Sequence, residues 1–159
     1  MIRGDKLTYE ELMAENPNVD IVDRHFNSKN IKGLYFNGNI AINDNIDTTA
    51  EKTCILAEEL GHHYTSSGTI IDMQDTRNRK QEHIARMWGY NKLIGLQGFI
   101  DAFEHHCSSL YETADYLGIT EEFLIETINA YMHKYGSYIK HKEYIIEFNF
   151  NSVGIIKKF

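Results

Sequence analysis

Apolar positions along the chain follow two periods, and the switches between them outline the elements. Thr8-Tyr9-Glu10-Glu11 reads as a capping box, so a short helix is expected from there to about Asn16-Pro17. From Ile31 to Ile46 the pattern becomes strand-like. Leu34-Tyr35-Phe36 and Ile40-Ala41-Ile42 flank Asn37-Gly38, a pair that favours the tight turn of a hairpin. Thr48 with Glu51 forms a second capping box, and the helix it opens should run through Cys54, Leu56 and Leu60 to about Tyr64. This helix mixes Glu58, Glu59, His62 and His63 among its apolar residues, where a surface helix would segregate them.

Thr65 to Thr76 reads as a loop rich in Ser, Thr, Gly and Asp. Asn78 and Gln81 then cap a long helix through Glu82, Ala85, Trp88 and Leu93. A shorter helix is expected from Phe99 to His105, another from Ser109 to Gly118, and a last one from Thr120 to Gly136. The chain then turns to strands at Tyr144–Phe148 and Val153–Ile156, around Asn151-Ser152. Met87, Trp88, Leu93, Phe99 and Phe103 are the expected core aromatics and aliphatics of this half. The fold class that follows is α+β, with a small antiparallel sheet, a polar central helix and a helical C-terminal lobe. One domain over residues 1–159 is expected, with residues 108–136 as a possible semi-separate lobe.

Composition narrows the function. A formal net charge of −7 argues against a tight generic nucleic-acid binder, which needs a basic face to displace counterions. Arg77-Asn78-Arg79-Lys80 and Lys157-Lys158 are the only basic clusters, and such clusters are more often solvated faces. No apolar run is long enough to span a bilayer, and the N-terminus has no signal-peptide pattern, so a cytoplasmic, membrane-free protein is expected. Cys54 and Cys107 form no CxxC pair and read as free thiols.

The chemistry concentrates in Leu56-Ala57-Glu58-Glu59-Leu60-Gly61-His62-His63. Glu58 and His62 are four apart and project from one helical face, the spacing of the two ligands in an H-E-x-x-H metal helix. Glu59 stands where that motif carries its general base. Glu58, however, stands where the motif has histidine, and E-E-x-x-H alone also occurs on solvated helices. His63 offers a second register with Glu59, and Cys54, one turn before Glu58, is either a ligand or a small core residue. His83 reads as a surface residue. His105-His106 reads as a helix C-terminus favoured by the dipole, or as an oxyanion donor in a cleft. The stretch from Tyr111 to Tyr135 has a faint helix-turn-helix look, but Glu121-Glu122 at the second helix argues against DNA.

Taken in order, these segments resemble the ImmA/IrrE family of zincin-like metallopeptidases, in the form carried by phages and mobile elements. Gly33 to Asn43 looks like the family's strand pair, and Cys54 to Tyr64 like its metal helix. Arg79 to Tyr90 looks like its second ligand-bearing helix, and Tyr144 to Ile156 like its closing hairpin. The resemblance implies a zincin-like fold with Glu59 as general base and Glu58, His62 and Glu82 as metal ligands. It implies one divalent metal, zinc by preference, with manganese as the alternative. A glutamate at the first-ligand position leaves a zinc site neutral where two histidines and one glutamate would leave it at +1, so bound water is less acidified. The implied activity is metal-dependent cleavage of a repressor protein, which derepresses the element's genes. The rival reading is a metallopeptidase-like protein that inactivates its repressor partner by binding alone, and a protein toxin is a third reading.

Overall fold

The computed structural model describes residues 6–66 and 76–159, and most of the expected Ser/Thr/Gly loop lies outside the described residues. The chain divides into two compact units, Leu7–Lys92 and, together with the N-terminal residues through Lys6, Leu93–Phe159.

In the first unit, α1 spans Tyr9–Ala14 and opens with the full capping box: Thr8 accepts from the Glu11 N–H, and the Glu11 carboxylate accepts from the Thr8 N–H. Three strands follow, β1 (Asp20–Arg24), β2 (Gly33–Phe36) and β3 (Asn39–Asn43), in the order β1-β3-β2. The β2–β3 hairpin is antiparallel, and its turn places Asn37 at φ 48° and Gly38 at φ 81°, the left-handed pair that Asn-Gly supplies. β1 joins β3 in parallel, so the sheet is mixed. Helix α2 (Thr49–Thr65) packs against β2 and β3 and also against α1. Ile40 and Ile42 of β3, Leu12 of α1, and Leu56 and Leu60 of α2 are fully buried, forming the core of this unit. Tyr9 donates to Asp23 Oδ1 at 3.1 Å, and Lys52 meets the other oxygen of Asp23 at 2.9 Å.

Helix α3 spans Thr76–Leu93, so Asn78 lies inside the helix instead of capping it. Backbone lies close to backbone where α2 meets α3, and the Tyr64 and Trp88 rings stack across the same pair of helices with centroids 5.1 Å apart. A methyl on Gly61 would sit 2.2 Å from the Ala85 carbonyl oxygen, and one on Gly89 would sit 3.3 Å from that of Ala57. Two turns of small residues on each helix let the chains approach this closely.

The second unit holds α4 (Gly95–Glu104), α5 (Leu110–Leu117), α6 (Glu121–Tyr135) and an antiparallel sheet of β4 (Tyr138–His141), β5 (Tyr144–Asn149) and β6 (Ser152–Lys157). Ser109 and Thr120 cap α5 and α6, and Gly118 at φ 69° ends α5. Phe99, Tyr131 and Phe148 meet edge to face, each pair with centroids 6.0 Å apart. Phe103, expected in the core, is instead exposed, with its edge toward Tyr144. Among the described residues no helix is long and apolar enough to cross a membrane.

Candidate metal and acid-base site

Helix α2 starts at Thr48, whose Oγ1 accepts the Glu51 N–H at 3.2 Å. The reciprocal half of the expected capping box does not form, because the Glu51 carboxylate pairs with Lys32 Nζ at 2.5 Å. The helix continues for 17 residues to the cap at Ser66. It therefore carries Glu58, Glu59, His62 and His63 on consecutive turns. Cys54, one turn earlier, is buried, and both cysteines are free thiols.

The close seam of α2 and α3 decides what meets what. His62, next to Gly61, and Glu82, one turn before Ala85, are drawn together, with His62 Nε2 3.2 Å from Glu82 Oε1. Their side chains are only 14% and 19% exposed, which sets this contact apart from a solvated surface pair. The other ring nitrogen, Nδ1, lies 3.4 Å from Ser66 Oγ. Burial alone would pull the His62 pKa down, but the Glu82 bond and the charges of Glu82, Glu59 and Glu58 outweigh it and hold the pKa above its ordinary value. Glu82 is held below the usual carboxylate range, first by the His62 bond and against its own burial, with Arg86 adding to the effect.

Glu59 lies on the sheet side of the same helix. Its carboxylate crosses the space above Gly33, where a side chain would meet Oε1 at 2.9 Å, and it accepts the backbone N–H of Tyr35. Burial pushes its pKa up to about 7. His62 opposes that shift, the Glu58 and Glu82 charges reinforce it, and the Tyr35 N–H opposes it. A carboxyl group with that pKa is half protonated at neutrality, which suits general acid-base work.

His62 and Glu82 thus meet, with Glu59 beside them and Glu58 one turn ahead on the same helix. Two donors on a tetrahedral ion, each at about 2.1 Å, stand about 3.4 Å apart. The 3.2 Å between His62 Nε2 and Glu82 Oε1 fits that span, and imidazole with carboxylate is a donor set that suits zinc. Among the described residues, no three His, Cys, Asp or Glu side chains are gathered closely enough to hold an ion.

The remaining histidines play other parts. His83 is exposed on α3. His105 is the C-cap of α4 and stacks on Tyr116 at 4.5 Å. His63 turns toward the hairpin, with Nδ1 3.3 Å from the Tyr35 hydroxyl. Gly33 and Tyr35, which frame Glu59, carry no motif of their own. The only sequence signal for them is their shared parity on β2, which points both toward the face that α2 covers.

A helix pair joined at a glycine seam, with a histidine and two glutamates along it and a strand pair packed on α2, agrees with the metallopeptidase-like class that the family match gives. The chain belongs to the family described as the IrrE N-terminal-like domain, peptidase type M78, whose model matches residues 14–129. That family is of the zinc-dependent metallopeptidase type. No curated protein and no solved structure matches the chain.

Proposed function

We propose that this protein is a metal-dependent endopeptidase whose target is a repressor protein of a phage or mobile element, acting in the cytoplasm where such a repressor works. The observation that carries the reading is the 3.2 Å approach of His62 Nε2 to Glu82 Oε1 across two helices, with the Glu59 carboxylate alongside. His62 and Glu82 would hold the ion, and Glu58 is the third ligand that the resemblance implies. A bound divalent ion would supply an acidified water and polarise the peptide carbonyl. Glu59 accepts a proton from the attacking water and passes it to the departing amine nitrogen, a role suited to a carboxylate held beside His62 and Glu82 by the Tyr35 N–H. Choice of a repressor as target follows from the family resemblance, and derepression of the element's genes follows from that target.

The rival reading, inactivation of the repressor by binding alone, is favoured by one feature. Glu58 replaces the histidine of H-E-x-x-H, and no third donor is gathered with His62 and Glu82 among the described residues. Two variants separate the readings. Purified protein loaded with zinc should retain about one ion per chain, and His62→Ala should lose it, as read by elemental analysis. Glu59→Gln should keep the ion and lose cleavage of a repressor from the same element. Repressor inactivated equally well by Glu59→Gln would establish the binding protein and remove the endopeptidase.

A further inference from the structure

Tyr35 touches α2 at two successive turns. Its backbone N–H donates to the Glu59 carboxylate, and its phenol oxygen lies 3.3 Å from Nδ1 of His63, four residues further along the helix. The same phenol accepts the Gly38 N–H at 3.2 Å, which ties it to the hairpin turn. The rings of Tyr35 and His63 meet edge on, with centroids 5.5 Å apart. β2 is the outer strand of its sheet, bonded to β3 on one side only. Such a strand is the most easily displaced part of a sheet, yet it carries a backbone donor to the base. With the phenol accepting from Gly38, its own proton can reach His63 Nδ1 in the tautomer that leaves that nitrogen unprotonated.

We infer that Tyr35 is a positioning residue for Glu59: its phenol, clamped between the Gly38 N–H and His63, fixes the outer strand so that the Tyr35 N–H stays on the carboxylate. His63 is then the helix anchor of this brace and not a metal ligand. The inference rests on the endopeptidase reading for its catalytic consequence, but the brace is a matter of geometry and can be read without turnover.

The test uses the full chain with four substitutions: Tyr35→Phe, His63→Phe, the two together, and His63→Gln, which keeps a polar atom for the phenol. Amide hydrogen exchange at position 35, followed by NMR, should be faster by about fivefold or more in Tyr35→Phe and in His63→Phe. With zinc-loaded protein and a pool of quenched fluorescent peptides, kcat should fall about tenfold in both variants while KM stays unchanged. The double variant should be no more than about twofold worse than either single one, because both remove the same brace. His63→Gln should recover most of the loss. Unchanged exchange in both single variants would overturn the brace. Unchanged kcat, or a change confined to KM, would overturn the positioning role. If the zinc-loaded parent cuts no peptide in the pool, the endopeptidase reading fails, and the exchange data alone decide the brace.

Discussion

The two units of this chain solve the problem of an interior in opposite ways. Leu93–Phe159 is knit by large aromatic rings, with Phe99, Tyr131 and Phe148 in mutual edge-to-face contact and Thr127 the sole buried polar residue, bonded to Phe123 O at 2.8 Å. Leu7–Lys92 sets its two longest helices together on glycine and alanine and lines the crease with ionisable groups that its core would otherwise exclude. The first arrangement maximises apolar burial. The second gives up some of it to hold charges where water is scarce, which is where acid-base chemistry is worth having. The difference teaches that apolar packing in Leu93–Phe159 and buried ionisable groups in Leu7–Lys92 are properties drawn from different parts of one chain.

Substitutions can break that separation or sharpen it. The largest loss is expected from Phe99→Ala, which empties the centre of the aromatic cluster and should cost about 3–5 kcal/mol in denaturant unfolding. Zinc affinity of the protein that remains folded should be unchanged, and a parallel loss of zinc would break the comparison. Gly61→Ala comes next. Its methyl would lie 2.2 Å from a backbone oxygen, and backbone cannot swing aside, so α2 and α3 must separate. About 3 kcal/mol of stability should go, at the upper end of overpacking costs. Unlike Phe99→Ala, this variant should also lose zinc affinity, because it moves His62 away from Glu82.

The smallest effect is a dependence on pH. In metal-free protein Glu59 has a folded pKa of about 7, above its unfolded value near 4.5. Ionising it therefore costs stability. That cost is absent below the unfolded value, grows as pH rises between the two, and is complete above pH 7. Glu59→Gln should remove it and so stabilise the protein by about 2–3 kcal/mol at pH 8, with almost no gain at pH 4. Thermal melts of both proteins at the two pH values check the sign, and an equal gain at both would show that the carboxyl is not destabilised by burial.

Much of this organisation was legible before any coordinates, and where it was not the reason is physical. Asn37-Gly38 announced its hairpin because few residue pairs tolerate two left-handed backbone conformations in succession. Thr8, Ser109 and Thr120 announced helices because their hydroxyls satisfy amides that nothing else nearby can reach. β1 was missed because Asp20-Ile21-Val22-Asp23-Arg24 does not alternate and is made a strand by β3, a distant parallel partner. β4 was missed in the same way, since Tyr138–His141 becomes a strand only through pairing with β5. The Glu58–His62 spacing followed from helical periodicity, and the family resemblance pointed to Glu82. The contact of Tyr35 with His63 could not be read from local pattern, because it joins residues 28 apart through a sheet register.

The glycine seam has a practical consequence for anyone reshaping this protein. Helix spacing here is limited by backbone lying close to backbone at Gly61–Ala85 and Ala57–Gly89, and the Tyr64–Trp88 stack adds a side-chain contact outside positions 58, 62 and 82. Those three positions can therefore be varied as a combinatorial set while the seam and the stack hold the frame. Donors of different hardness can be exchanged there to retune ion preference while the frame holds still, whereas a library that touched Gly61 would push the two helices apart and move the donors with them.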